Sequence, residues 1–294
     1  MLIRLLNVTG SLRSTIRLAH VAWRTAASLA EYAYLRVSLG RKLSYCERAL
    51  WLQRCCRKVL PHLGFQVSWQ GAAPATGLLI SNHLSYMDIL AFSSIAPCCF
   101  LSKIEVRNWP VFGLMAQTGG TIFLDRKSAP ALMHANEELS ALLSQGVLVV
   151  VFPEGTTSDG SSVLPFHASL LQAAVKSEVP LTPAYITYSV SDGSLAEDVC
   201  FWRDMTLLPH LWNLLSKPTL QAYVSFAPTE RGFQSRKEAS ERMRAQVIAL
   251  EAAHKALRQI SSQSQELQPG QGRAASRPAE SPDAPGQVHT CKGC

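Results

Sequence analysis

The run VLVVVF, residues 147–152, is the sequence feature that most constrains the fold. Six consecutive apolar residues without polar alternation indicate a strand that is covered on both faces. Further short β-rich runs predict strands at 65–69, 77–81, 99–102, 121–124, 181–188 and 220–227. Helical patterns fit 86–96, 109–118, 128–144, 167–177 and about 235–260. This alternation predicts an α/β fold with a mostly parallel sheet flanked by helices.

A basic, helical segment precedes the first strand. Residues 1–60 hold eleven Lys and Arg against Glu31 and Glu47, which gives 11 − 2 = +9. The whole chain carries +7, so the remainder sums to 7 − 9 = −2. A basic end suggests an anionic partner, either phospholipid head groups or nucleic acid. Composition alone does not choose between these two partners.

The pattern predicts an amphipathic helix over 11–36 and a second helix over 41–60 that ends before Pro61. One stripe of the first helix is apolar: Leu5, Leu12, Ile16, Ala19, Trp23 and Ala27. A second stripe is basic: Arg13, Arg17, His20 and Arg24. We interpret residues 1–62 as a segment that docks on a membrane surface, since basic and apolar stripes side by side are typical of interfacial helices. The alternative is a surface helix whose apolar side packs on the body.

Other features of the chain limit its class. No uncharged apolar window of about 18 residues predicts a membrane span, and no cleaved signal peptide is expected. The eight cysteines include adjacent pairs, which are poorly placed for a disulfide framework, so we expect reduced thiols. Residues 261–294 are rich in Ser, Gln, Pro and Gly, a composition that predicts a disordered tail. Its Cys291 and Cys294 lack a second ligand pair for zinc.

The stretch SNHLSYMD, which follows the strand GLLIS, is the first candidate for chemistry. Ligand crevices in open α/β sheets form at the carboxyl ends of strands. We place His83 on the turn, Ser85 as a cap of the next helix, and Asp88 in the first turns of that helix. A carboxylate there can orient one imidazole nitrogen while the other accepts a proton, which describes a general base. The alternative is a histidine held in a helix-capping network.

The stretch GGTIFLDR brings Asp125 and Arg126 to another strand end. The guanidinium of Arg126 is a planar donor that suits phosphate or carboxylate. A local salt bridge with Asp125 explains the same pair equally well.

The stretch VVVFPEGTTSDG is the third candidate, because a fully apolar strand runs directly into polar residues. Gly155 permits a tight turn, and the amides and hydroxyls that follow can face an anion or an oxyanion. Glu154 is unusual, since a carboxylate directly after a buried strand is unfavourable unless it is paired or bound.

Together these stretches resemble the blocks of the lysophosphatidate acyltransferase family of glycerolipid acyltransferases. In chain order they read NHLSYMD (82–88), IFLDR (122–126), FPEGTT (152–157) and VPLTP (179–183). The stretch FLSKIEVRNWPVFG (100–113), with Lys103, is also similar to a family segment. The resemblance spans about residues 64–230, and it identifies 63–260 as an acyltransferase domain.

The resemblance implies acyl transfer from acyl-CoA or acyl-carrier protein to the free hydroxyl of a lysolipid. His83 would remove the hydroxyl proton and Asp88 would orient it, with no metal or organic cofactor. The implied acceptor-binding residues are Asn82, Lys103, Asp125, Arg126, Glu154, Gly155, Thr156 and Thr157. Such water-insoluble substrates imply a peripheral enzyme on the cytoplasmic face of the inner membrane, and nucleic acid is not expected as a partner.

One departure from the family bears on the acceptor. Many members carry Arg after FPEGT, where it can serve a phosphate, whereas this chain has Thr157. The segment EGTTSDGSSVLPF resembles more closely the branch that acts on lyso-ornithine lipid, whose head lacks phosphate. Lysophosphatidate and lyso-ornithine lipid both stay open as acceptors. Two other functions also stay open: an acyl-thioester hydrolase, and an inactive lipid-binding protein on the same scaffold.

Overall fold

A seven-stranded, mostly parallel sheet forms the centre of the molecule. The computed structural model describes residues 2–125 and 128–266. The strands are β1 (Phe65–Gln70), β2 (Gly77–Ser81), β3 (Cys99–Lys103), β4 (Ile122–Leu124), β5 (Leu148–Val151), β6 (Leu181–Val190) and β7 (Leu220–Phe226). Their order across the sheet is β1-β7-β6-β2-β5-β3-β4, and only the β6–β7 pairing is antiparallel. Each of these strands overlaps a predicted one, and the predicted fold class is confirmed.

Helices cover both faces of the sheet. They are α1 (Leu2–Leu39), α2 (Tyr45–Leu63), α3 (Met87–Ile95), α4 (Phe112–Thr118), α5 (Ala129–Ser144), α6 (Gln172–Lys176), α7 (Leu207–Ser216) and α8 (Arg236–Glu266). The sequence pattern had not predicted α7. Its sequence LLPHLWNLLS is apolar almost throughout and carries a proline near its start, so it offers no clear helical periodicity.

Helix α2 belongs to the hydrophobic core. Trp51, Cys56 and Leu60 are buried in the same cluster as strand residues such as Phe65 and Val224. The assignment of residues 1–62 to a separate docking segment therefore fits α1 better than α2. The helix also continues through Pro61, contrary to the predicted end, because a proline in the last turn removes a single amide and Gly64 then closes the helix at φ 64°.

Helix α1 shows its apolar stripe to the outside. The exposed fractions are 61% for Leu12, 69% for Trp23 and 70% for Tyr34. The opposite face, with Ser14, Thr25 and Ser28, is buried against the body. Val21, Leu29 and Tyr32 also pack on the core, so α1 differs from an ordinary surface helix in that it exposes a second apolar stripe.

Two arginines of the basic stripe of α1 lie against the protein. Arg17 donates hydrogen bonds to the carbonyls of Leu215 and Pro218 (3.1 and 2.8 Å), and Arg13 donates to Ser216, all at the end of α7. Cations at a helix C-terminus satisfy unpaired carbonyls and the helix dipole. Eight of the eleven Lys and Arg in residues 1–60 donate bonds within the protein: Arg13, Arg17, Arg24, Arg41, Arg48, Arg54, Arg57 and Lys58. Of the predicted basic stripe, Arg13 and Arg17 are thus partly buried against the end of α7, whereas His20 and Arg24 are exposed.

Three further predictions concern the rest of the chain. Helix α8 runs to Glu266, so it enters the segment predicted as a disordered tail, and residues 267–294 lie outside the described residues. Six described cysteines are buried free thiols: Cys46, Cys55, Cys56, Cys98, Cys99 and Cys200. Between residues 2 and 266, apart from 126 and 127, no helix combines the length and apolar character that a membrane crossing needs.

Candidate active site

The carboxyl ends of β2, β3 and β5 meet at one edge of the sheet and surround a cavity of about 280 Å³. Five predicted site residues line this cavity: His83, Lys103, Gly155, Thr156 and Thr157. The remaining wall is mostly apolar and includes Ile89, Leu101, Val106, Trp109, Leu170 and Phe201. A crevice with a few polar groups on an apolar wall suits a ligand with a long hydrocarbon part.

His83 and Asp88 form a hydrogen-bonded pair. The Nδ1 atom of His83 lies 2.6 Å from Oδ2 of Asp88. Asp88 is fully buried, whereas the His83 side chain is 21% exposed and lines the cavity. No hydrogen bond joins Nε2 of His83 to a residue that the structure describes, so this nitrogen is left to accept a proton from a ligand.

The buried Asp88 carboxylate has its full set of donors. Oδ2 also accepts hydrogen bonds from the amides of Leu84 (2.8 Å) and Ser85 (3.2 Å), and Oδ1 accepts one from the Tyr188 hydroxyl. These bonds satisfy both oxygens of the buried carboxylate from the turn before α3 and from β6. Asp88 itself organises this turn, since the predicted cap Ser85 has a buried hydroxyl without a described partner.

The backbone and ring of His83 are held by the segment that follows β5. The His83 amide donates to Oε2 of Glu154 (3.2 Å), and its carbonyl accepts from the amide of Ser158 (3.0 Å). The imidazole stacks on Phe152 at 4.0 Å between ring centroids and 10° between planes. A histidine fixed at its backbone, one ring nitrogen and one ring face is preorganised for proton transfer.

Glu154 connects two segments beneath the cavity. Its Oε2 accepts from His83 and its Oε1 accepts from the amide of Leu164 (3.0 Å). Burial raises the pKa of Glu154 to about 7, although these two hydrogen bonds oppose the rise. The side chain is buried and does not line the cavity. Glu154 therefore holds the backbone, and its predicted contact with an acceptor stays a prediction.

The other predicted residues lie at different depths. The amide side chain of Asn82 is buried and bonds the backbone of Ile186 on β6, through Nδ2 (2.9 Å) and Oδ1 (2.8 Å). Lys103 is exposed at the cavity edge, and Asp125 follows Leu124, which lines the cavity. Arg126 lies outside the described residues. The acceptor-binding roles of Asn82, Asp125 and Arg126 also stay predictions.

Thr157 takes part in an internal contact. Its hydroxyl donates a hydrogen bond to the carbonyl of Phe201, whose amide in turn bonds the carbonyl of Leu84 at 2.8 Å. The side chain therefore ties the wall around Phe201 to the turn after β5. A threonine hydroxyl that is engaged in this way provides no charged, two-donor group for a phosphate.

Sequence analysis missed two tyrosines at this site. Tyr188 completes the environment of Asp88 from β6, and Tyr86 lines the cavity and bonds Nδ1 of His210 at 2.9 Å. Nε2 of His210 lies 3.0 Å from the carbonyl of Cys200, so it carries the hydrogen, and burial lowers the pKa of His210. Tyr86 sits inside the quoted NHLSYMD stretch, but only the fold brings Tyr188 and His210 to it.

The described residues offer no group of three or more His, Cys, Asp or Glu that would hold a metal ion. The polar groups of the cavity are instead suited to move a proton and to contact an anionic or polar head.

Comparisons with known proteins identify the family of the chain. The profile of the family described as Acyltransferase matches residues 66–187. The chain is 33% identical over 201 residues to the lyso-ornithine lipid O-acyltransferase of Rhizobium meliloti, a match that covers 60% of this chain and 68% of that relative. A protein of the same name from Pseudomonas aeruginosa is 39% identical over 166 residues, with 56% and 62% covered. The chain belongs to the acyltransferase family, and the resemblance read from its motifs is confirmed.

A solved structure shares the fold. The crystal structure of the 1-acyl-sn-glycerophosphate (LPA) acyltransferase from Thermotoga maritima matches with a TM-score of 0.62 at 22% identity, and the match covers 86% of this chain and 98% of that chain. The chain spans about three fifths of the length of the Pseudomonas relative it matches.

The hydroxyl of Tyr188 is expected to contribute to stability through Asp88. Tyr188→Phe leaves one oxygen of a fully buried carboxylate without its donor, and such a loss costs about 1.5–3 kcal/mol. We expect the free energy of unfolding in urea to fall by that amount. The matched control is Tyr223→Phe on β7, which removes a hydroxyl that does not contact Asp88 and should change stability by less than about 0.5 kcal/mol. Equal effects of both variants would contradict this role of Tyr188.

Glu154 is expected to make stability depend on pH. Its pKa is about 7 in the folded protein against an ordinary value of 4.5, so its contribution is fully present below pH 4.5 and is lost as the pH rises through 7. The change is about 3 kcal/mol. We expect the unfolding free energy of the wild type to decline by that amount relative to Glu154→Gln between pH 4.5 and 8. Glu137→Gln, an exposed position on α5, is the control. A constant difference across this range would refute the linkage.

Proposed function

We propose that the chain is an O-acyltransferase that moves a fatty acyl chain from a thioester donor to the free hydroxyl of a lysolipid. One observation carries the proposal: the His83 imidazole is bonded to a buried carboxylate through Nδ1 and presents Nε2 to an apolar cavity. The membership of the acyltransferase family supports the same reaction.

The proposed mechanism is a direct transfer. Nε2 of His83 accepts the proton of the acceptor hydroxyl while the oxygen attacks the thioester carbonyl. The tetrahedral intermediate expels the donor thiolate, and the imidazolium returns the proton to that sulfur. Asp88 stabilises the imidazolium and keeps the ring in the tautomer that leaves Nε2 unprotonated at the start. Neither a metal nor an organic cofactor is needed for these steps, and acyl-CoA and acyl-carrier protein are both proposed donors.

The proposed acceptor is lyso-ornithine lipid. Thr157 stands where many family members carry Arg, and its hydroxyl is bonded to the Phe201 carbonyl, so this position provides no cation for a phosphate. The lyso-ornithine lipid head needs no phosphate site. The names of the Pseudomonas and Rhizobium relatives point to the same acceptor. Lysophosphatidate is the competing acceptor, since Lys103 provides a cation at the cavity edge.

We also propose that the enzyme binds peripherally to the cytoplasmic face of the inner membrane. The exposed stripe of α1, with Leu12, Trp23 and Tyr34, supports this proposal, because an apolar face without protein cover suits the lipid interface. Contact through this stripe would keep the cavity close to its water-insoluble substrates. The basic residues contribute less than their number suggests, since most of them bond within the protein.

Acyl transfer is tested with purified protein and two acceptors in competition. Wild-type protein receives an acyl thioester together with lyso-ornithine lipid and lysophosphatidate, and mass spectrometry identifies the acylated product. We expect the ornithine lipid to dominate. His83→Ala should lower kcat by about 10²–10⁴, the usual contribution of a general base.

His134→Ala, an exposed histidine on α5, is the matched control and should behave as the wild type. Unchanged transfer in His83→Ala would contradict the mechanism. Release of free fatty acid without an acceptor would favour the hydrolase instead, and lipid binding without turnover would favour the inactive protein. A dominant lysophosphatidate product would correct the acceptor alone.

Membrane binding is tested by cosedimentation with vesicles. The double variant Leu12→Ser, Trp23→Ser is expected to lose at least tenfold in vesicle affinity, because it removes apolar surface from the exposed stripe. Met133→Ser, at an exposed apolar residue of α5, is the control. Binding of the wild type should persist at high salt. Binding that disappears in salt and ignores the double variant would show that charge, and not the apolar stripe, directs the docking.

A further inference from the structure

Side chains on one face of helix α8 donate hydrogen bonds to the backbone carbonyls of one loop. Arg244 donates to the carbonyls of Leu164 (Nε, 2.8 Å) and Val163 (Nη2, 2.7 Å). Ser240 donates to Phe166 (3.3 Å), and Lys255 donates to Ser161 (3.4 Å). We call residues 161–166 the clasped loop. Only Arg244 makes two of these bonds, which its planar guanidinium allows.

The clasped loop is connected to the catalytic histidine through one carboxylate. The amide of Leu164 donates to Oε1 of Glu154, and the other oxygen of Glu154 accepts the amide of His83. The carbonyls of Val163 and Leu164 therefore accept hydrogen bonds from Arg244, and the amide of Leu164 donates one to Glu154. A continuous chain of hydrogen bonds runs from α8 to the backbone of His83.

We infer that Arg244 is a positioning residue for His83, which acts through the clasped loop and Glu154. This inference rests on the proposed function for its kinetic consequence, but the physical link itself does not. Arg244 does not line the cavity, so it would not touch a substrate. Its cation also favours the ionised form of Glu154, in which both oxygens accept hydrogen bonds.

The packing around the clasped loop explains why a specific side chain is needed there. Val163 is buried in a small cluster with Tyr185 and Val247, separate from the two large clusters of the core. Phe166 packs against this cluster and one of the two large ones, but Leu164 belongs to none of the three, so hydrogen bonds position the Leu164 peptide group. A displaced Leu164 amide would release Oε1 of Glu154 and loosen the His83 amide, and small displacements of a general base cost much of the rate.

The test compares three variants of the full chain. Arg244→Ala removes both bonds and the charge, Arg244→Lys keeps the charge and one donor group, and Arg242→Ala is the matched control. Arg242 lies two residues earlier on α8 and pairs with Glu230, away from the clasped loop. Amide hydrogen exchange is measured without substrate, and lysolipid acylation is measured across pH.

In Arg244→Ala, we expect the amides of His83 and Leu164 to exchange at least tenfold faster than in the wild type. We also expect kcat to fall at least tenfold with KM for the lysolipid within twofold. The acid limb of the pH profile of kcat should move to higher pH, because the loss of the Arg244 cation raises the pKa of Glu154. Arg244→Lys should recover part of each change, and Arg242→Ala should match the wild type.

Unchanged exchange at the His83 amide in Arg244→Ala would overturn the inference, whatever the activity. Faster exchange that spreads over β6 and β7, or loss of folded protein in both Arg244 variants, would also overturn it, since Arg244 would then act only on overall stability. A wild type without acyl transfer would refute the proposed function, and the exchange measurement would still decide whether the link exists.

Discussion

The hydrogen bond between the imidazole of His83 and the buried carboxylate of Asp88 determines which hydrogen-bond donors the surrounding structure has to provide. A buried carboxyl group has to be matched by hydrogen-bond donors, and here they come from separate parts of the chain: the turn after β2 and the strand β6. The sheet order places β6 beside β2, and Asn82 fastens the two strands by bonding the backbone of Ile186. The pair therefore depends on the middle of the sheet and not on one local motif.

Much of this architecture can be read from the sequence. The strands follow from short apolar runs, and His83 and Asp88 follow from a spacing that lies within one turn and one helix. The contacts of Tyr188 with Asp88 and of Arg244 with the clasped loop could not be predicted, since only tertiary packing brings these residues together. The orientation of α1 could not be predicted either. Periodicity shows that two stripes exist, but it does not tell which of them meets the protein.

The two ends of the site are held in different ways. One side of the cavity depends on bonds between side chains and backbone around Glu154, Ser158 and Thr157. The other side is a group of aromatic rings, in which Tyr86, Trp109, Phe201 and His210 meet edge to face. Ring contacts tolerate small shifts better than directional hydrogen bonds do. The side of the cavity that holds His83 is thus fixed by directional hydrogen bonds, and the opposite side by ring packing.

The pairing of β1 with β7 affects how the protein folds during synthesis. Strand β1 lies at one margin of the sheet, and its neighbour β7 is the last of the described strands along the chain. During synthesis, β1 cannot pair with β7 until most of the domain has left the ribosome. Contacts so distant along the chain slow folding and prolong the exposure of unpaired strand edges. The edge of β1 that pairs with β7 therefore stays open until residues 220–226 have left the ribosome.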